Sequence, residues 1–440
     1  MTLLTQFWDF FSSVKLAIFT LCALAATSII GTLIPQGETV DFYIQNFGAK
    51  TAHFFQILDL QDMYYSWWFL GLLGLLCTNL IICSLDRFPS VWKIITTDNL
   101  AIAPERITKM ANSTKWEFGT DKLNQLDLAG LLKESGWHPS SKSLDESEIF
   151  FSQKGRWSRC GVYLVHTSIL LIFLGAIIGH FSGFKGSIMI PEKSSSEKVF
   201  AYKNNQPLAL GFEIRCNSFA IEFYDNGMPK EYKSSLTVLE DGREILTRNI
   251  EVNSPLTYRG ITFYQSSFQG YQNFLVTITE NSSGDSKLFT LPFQKQMSWK
   301  EKELQFGIIN AEVVGQRVVR SKVWFKAGDN PASIVWIKDN DQADFTSGTK
   351  KYTISAKQMY ATGLQVAKDP GVWVVYLGCC IMLLGLFMAF FMSHQRIWLY
   401  KNNSSNTPQL WLSGSANKNK VAFGKVFNAL KTHIEHAVQR

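Results

Sequence analysis

The chain has 440 residues, 46% of them hydrophobic and 14% aromatic, with a formal net charge of +7. Its mean hydropathy of +0.01 averages two unlike materials, because a few long runs are almost free of charge while the rest is an ordinary polar mixture. No basic helix with interleaved aromatics occurs, so the charge footprint of a nucleic-acid-binding protein is missing.

Crossing a bilayer takes roughly 20 apolar residues. Segments 16–34, 67–85, 161–181 and 371–392 meet that requirement. The first has an apolar core too long for a signal peptide, and no small-residue cleavage site follows it, so it reads as a retained anchor. The loop 35–66 sets Lys50 against Glu38, Asp41, Asp59 and Asp62, which places it outside. Lys154, Arg156 and Arg159 lead into the third segment, while Arg396, Lys401, Lys418, Lys420, Lys425 and Lys431 follow the fourth. Both termini are then cytoplasmic and 182–370 lies outside, a stretch long enough to translocate regardless of its own charges.

Between the second and third spans, 86–160 reads as a small cytoplasmic α+β insert. TKWEF (114–118) has strand character, LNQLDLAGLLKESGW (123–137) is helical in spacing with Gly136 as its stop, and EIFFSQKGRW (148–157) is a strand running into span 3. The segment 182–370 carries short alternating runs, as in GFEIRCNSFAIEFY (211–224) and SSLTVLEDGREILTRNIEV (234–252), the pattern of half-buried strands. LEDGRE (239–244) sets an Asp-Gly turn between two such runs, while DNGMPK (225–230) and ENSSGDSK (280–287) read as further turns. An all-β sandwich or open barrel is predicted there. The tail 393–440 is basic, and VAFGKVFNALKTHIEH (421–436) forms an amphipathic helix expected to lie on the membrane or on a partner. His433 and His436 share a face of it, but two histidines are too few for a closed metal site. The predicted class is therefore an integral membrane protein with four transmembrane α-helices, a large extracytoplasmic all-β domain and a small cytoplasmic α+β insert.

No nucleotide-binding loop, hydrolase elbow or zinc-protease motif is present. Of the seven cysteines only Cys216 falls within 182–370, so that domain forms no internal disulfide, and no C-x-x-C pair marks a thioredoxin-like centre. What stands out is His166 inside the third span. An ionisable side chain in hydrocarbon costs roughly 2–3 kcal/mol, which makes it a functional hypothesis by default. On the residues alone it serves either a ligand or a hydrogen bond to a neighbouring helix.

Four stretches resemble one family, ResB, also called CcsB, of the system II cytochrome c maturation apparatus. FFSSVKLAIFTLCALAATSIIGTLIPQ (10–36) resembles its opening, and GRWSRCGVYLVHTSILLIFLGAIIG (155–179) its third span. NSPLTYRGITFYQSSF (253–268) is similar to its outer-domain motif, and DPGVWVVYLGCCIMLLGLFMAFFMSHQRIWLY (369–400) to its fourth span and exit. The resemblance implies a bacterial inner-membrane subunit that works with a ResC/CcsA-like membrane protein. The pair carries haem b across the membrane and attaches it to apocytochrome c, with a thiol-reducing protein of the same pathway as a possible further partner. The bond-forming site of the family lies mainly in a tryptophan-rich loop of the partner. This sequence has no such loop; Trp67 and Trp68 read as interfacial anchors. Whether this chain counts as an enzyme is left open.

For the histidines the resemblance implies that His166 is an axial haem ligand, opposite a histidine of the partner. At about 1.5 Å per residue it lies some 8–9 Å inside the cytoplasmic edge. His180, at the outer end of the same span, and His394, at the exit of the fourth, are lesser candidates; His394 reads either as an interfacial residue or as a ligand where haem comes in. His53 and His138 carry no assignment. The outer segment 253–268 reads as β core with a turn, or as a surface touching apocytochrome or the partner. A rival to the whole scheme is a structural adaptor that holds the partner or apocytochrome through its β domain and never touches haem. A membrane sensor finds no kinase, cyclase or DNA-binding pattern in support.

Overall fold

A computed structural model describes residues 2–439 apart from 118–122, 124, 145, 203–204, 225–227, 315–316, 340, 348–349 and 404–407. The start of the predicted turn 225–230 therefore lies outside the described residues. The chain divides into two units, Met1–Ala176 with Val372–Arg440, and Ile177–Gly371.

In the first unit, chain order gives α1 (Leu3–Phe11), α2 (Val14–Leu33), α3 (Val40–Phe47), α4 (Ala49–Ile57) and α5 (Trp67–Thr96). There follow α6 (Pro104–Thr108), α7 (Leu128–Glu134), α8 (Gly161–Ser182, which passes into the second unit at Ile177), α9 (Val372–Phe391) and α10 (Lys420–Gln439). The helices α2, α5, α8 and α9 are long and apolar enough to cross a membrane, as the sequence predicts. Their ends match the predicted spans closely except at α5, which runs to Thr96 through Pro89. Charge at Asp86 and Arg87 ends an apolar run, but it does not end a helix.

Polar anchors fix this bundle. Buried Asn79 of α5 donates from Nδ2 to the carbonyls of Phe11, at 2.6 Å, and Ser13, at 3.1 Å, which satisfies the break between α1 and α2. Between α8 and α9 the contact is made by small residues. A Cβ at Gly385 would lie 2.9 Å from the Val165 nitrogen, and one at Gly161 2.7 Å from that of Ala389. Only glycine permits backbones this close.

The α+β insert and the tail form a single sheet. Its order is Asn112–Glu117, Gln409–Ala416, Gln395–Asn402, Ser147–Lys154 and Ser140–Leu144, all antiparallel. The tail supplies the two middle positions next to the insert's strands, with Ile397 opposite Ser152 and Thr114 opposite Leu412. Helix α10 lays Phe423, Phe427, Leu430 and Ile434 onto Leu410, Leu412 and the α7 residues Leu128 and Leu132. The apolar face expected on a membrane or partner is thus covered within the chain. Helix α7 is shorter than the predicted 123–137. Asp127 caps it by accepting from the Gly130 nitrogen at 2.9 Å, and Gly136 follows it with φ +72°.

The second unit is built almost wholly of antiparallel strands. One sheet runs in the order Ser286–Pro292, Ile261–Glu280, Lys350–Lys368, Phe184–Pro191, Ser195–Ala201, Pro207–Phe223, Pro229–Glu240 and Arg243–Ile250. A second has Gln296–Trp299, Leu304–Val314, Arg317–Ala327 and Ser333–Lys338. The predicted Asp-Gly turn is there, with Asp241 and Gly242 at φ 48° and 76° between paired Glu240 and Arg243. In place of one sandwich or open barrel there are two cores on a shared strand pair. Strand Ile261–Glu280 has 20 residues and Lys350–Lys368 has 19, more than one core needs. Phe263, Leu364 and Val366 sit in one core and Phe274, Ile278 and Ile354 in the other. The register shift between Gly270 and Phe274 falls where one gives way to the other.

Candidate functional site

His166 lies in α8, where Ile169, Leu170 and Phe173 pack toward α5 and fix the helix's rotation. Its Nδ1 is 2.8 Å from Oγ of Ser84 on α5. With Nδ1 carrying the proton and donating to the hydroxyl, Nε2 keeps its lone pair, and among the described residues nothing bonds to it. This is how an imidazole is set up to bind a metal: one nitrogen oriented by a hydrogen bond, the other open. The helix-to-helix hydrogen bond of the sequence reading is present, and with this tautomer it leaves the other ring nitrogen open. Tyr163, one turn earlier on α8, has its ring 6.4 Å from the imidazole.

His394 is built differently. It is 0% exposed. Arg159 donates from Nε to its Nδ1 at 2.7 Å, and its Nε2 meets Gln153 Oε1 at 2.9 Å. Its backbone nitrogen donates to Asn417 Oδ1 at 2.8 Å. Both ring nitrogens are occupied, so this arrangement offers no lone pair to a metal. Burial, with Arg159, Arg396 and Arg156 around it, holds its pKa down at about 4. The ring is therefore neutral, and it ties the start of the Gln395–Asn402 strand to the Ser147–Lys154 strand. His180 stands exposed near the end of α8, with its ring 5.2 Å from that of Phe181. His166 and His394 share no partner.

In the β unit, Cys216 is 0% exposed, and burial pushes its thiol up to about 12. Thiol exchange needs the thiolate, which this environment suppresses. The segment 253–268 is core and turn: Leu256, Ile261 and Phe263 are buried, and Arg259 and Gly260, at φ 48° and 76°, make a two-residue turn. Tyr258 donates to Glu240 Oε1 at 2.9 Å, and Arg259 pairs with the same carboxylate at 2.7 Å.

Ser84 escaped the sequence reading. A serine inside an apolar helix usually bonds its own backbone, and nothing local to 67–85 announces a partner 82 positions away.

Comparison with known proteins agrees with this architecture. The model of the ResB-like family matches residues 14–356 and 306–428. The cytochrome c biogenesis protein CcsB of Gloeobacter violaceus is 29% identical over 93% of this chain and 87% of its own length. CcsB of Crocosphaera subtropica is 29% identical over 94% of this chain and 90% of its own. CcsB of Trichormus variabilis is 28% identical, with 95% and 90% covered. Four apolar helices, a large β unit and a family match from residue 14 to residue 428 lead to one conclusion: the chain belongs to the ResB-like family.

Proposed function

We propose that this chain is a haem-handling subunit of a cytochrome c synthase in a bacterial inner membrane. Both termini and the mixed sheet face the cytoplasm, and the β unit faces the periplasm. A ResC/CcsA-like membrane protein is its partner and carries the bond-forming site. Together they move haem b across the membrane and join it to apocytochrome c, whose cysteines a thiol-reducing protein keeps available. His166 is an axial ligand to the haem iron through Nε2.

The observation that carries this reading is the Ser84–His166 bond between α5 and α8. With Nδ1 as the donor it orients the ring, leaves Nε2 its lone pair and raises the basicity of that nitrogen. The names of the full-length relatives support the pathway. The shared sheet supports the topology: strands before α8 and after α9 pair with one another, so those segments lie on one side of any membrane the two helices cross. The arginines and lysines that flank those ends favour the cytoplasmic side.

The test is the visible spectrum of the protein purified with its partner. Wild type shows a haem Soret band, His166→Ala loses it, and added imidazole restores it. An unchanged band in His166→Ala overturns the ligand assignment. The adaptor reading is favoured by the size of the unit Ile177–Gly371, and a Soret band absent from both proteins would select it.

A further inference from the structure

In the β unit the second sheet has one face in a core and one face bare. Strands Leu304–Val314, Arg317–Ala327 and Ser333–Lys338 turn Phe306, Ile308, Val323, Phe325 and Ile337 inward. Alternation sends their neighbours to the other side. Lys326, Trp324, Lys322 and Arg320 therefore stand in a row on the strand Arg317–Ala327, one at every second residue, a pitch of about 6.8 Å. The register sets Ile334 beside Trp324, Trp336 beside Lys322 and Lys338 beside Arg320. On the opposite flank Gly307 faces Trp324 and Glu312 faces Arg320. Gly307 has no side chain to fill its place, and a groove of about 270 Å³ opens along Trp324, lined also by Lys295 and Gln296.

Ile334 is 54% exposed and Trp336 37%. The Arg320 guanidinium lies 4.8 Å from the Trp336 ring centre and the Lys322 ammonium 5.8 Å. Arg320 also pairs with Glu312. Among the described residues no carboxylate lies within ion-pair distance of Lys295, Lys322, Lys326 or Lys338, whereas Lys302, Lys350 and Lys357 of the same unit each hold one.

A cation over an indole stabilises a sheet surface by itself, which accounts for Arg320 and Lys322 on Trp336. It does not account for Lys295, Lys326 and Lys338, left without a counter-charge around an apolar groove. An extended polypeptide repeats the side chains of one face at the same pitch of about 6.8 Å. Carboxylates on its alternate residues meet Lys326, Lys322 and Lys338, and an apolar side chain at the place between the first two enters the groove at Trp324. A lipid surface offers negative charge without that repeat.

We propose that this face docks an extended acidic segment of a partner polypeptide, with carboxylates on alternate residues and one apolar side chain among them. The proposal stands apart from the assignment of His166 and from haem.

The experiment titrates full-length protein, in nanodiscs of neutral phosphatidylcholine, with the fluorescein-labelled peptide Glu-Ser-Phe-Ser-Glu-Ser-Glu, read by anisotropy. The peptide binds, and replacing its glutamates by glutamine weakens binding about tenfold. Lys322→Gln combined with Lys326→Gln causes a comparable loss for the acidic peptide and none for the glutamine peptide. Both lysines lie on the sheet's outer face, so this variant keeps its core. Trp324→Ser weakens both peptides alike. A peptide of the same composition with its glutamates consecutive binds more weakly, because its charges miss the pitch. The proposal is overturned if the acidic peptide does not bind, or binds no better than its glutamine or rearranged forms. It is equally overturned if the double lysine variant binds the acidic peptide as wild type does, or if Trp324→Ser changes nothing. Should phosphatidylglycerol vesicles capture wild type but not the double lysine variant, while the peptide fails, the occupant is a lipid surface and the proposal falls.

Discussion

Two histidines of the first unit sit beside polar partners, and the difference between them decides what each can do. His166 has one nitrogen bonded, to Ser84 of α5. His394 has both bonded, to Arg159 and Gln153, beneath a sheet. From sequence the two look alike, a histidine in or beside a span. What separates them is a lone pair. Polar company on one nitrogen leaves a lone pair open, as the proposed ligand role of His166 needs; on both, it makes a brace.

The sharpest way to break this contrast is to remove each ring. His166→Ala abolishes the haem Soret band of the purified complex while the melting temperature stays close to wild type; a preserved band would erase the distinction. His394→Ala does the opposite. It strands Arg159 and Gln153 and costs about 3 kcal/mol of stability, seen as a lower melting temperature, with the haem spectrum unmoved.

A pH series reaches the same brace without mutation. The folded-state pKa of His394 is about 4, below the ordinary 6.5, so the unfolded chain binds the proton more readily. The stabilisation is complete above pH ~6.5 and is lost as pH falls toward 4, by roughly 3 kcal/mol at most. The groups that face it, Arg159, Arg396 and Arg156, are all cationic and stay charged throughout. His394→Gln flattens this acid limb; a limb of unchanged slope would assign it to other groups. The smallest effect belongs to Ser84. Ser84→Ala lowers haem affinity about tenfold by freeing the imidazole, and Ser84→Thr keeps it. An alanine variant that binds haem as wild type does would show that the hydroxyl orients nothing.

Much of the architecture was legible because it is written locally. Apolar runs announce the helices α2, α5, α8 and α9, and Asp241-Gly242 announces its hairpin. What was not legible is pairing over distance. The strand Gln395–Asn402 seats Ile397 opposite Ser152, and no window of sequence contains both. The periodicity of α10 was visible, but the strands that cover it were not, so its apolar face was expected on a membrane or a partner. The same limit applies at the candidate site. His166 draws attention as an ionisable group in hydrocarbon, whereas Ser84 gains meaning only once α5 lies against α8.

The mixed sheet also sets an order of events during synthesis. Its outer strands, Asn112–Glu117 and Ser140–Leu144, leave the ribosome long before the strands that join them, Gln395–Asn402 and Gln409–Ala416. The insert must wait, its apolar faces unpaired, until the β unit and α9 have been made. The tail reaches it only if α8 and α9 have crossed in opposite senses. Closure of the sheet thus waits for the last strands to be made, and it requires the segments before α8 and after α9 to lie on the same side of any membrane the two helices cross.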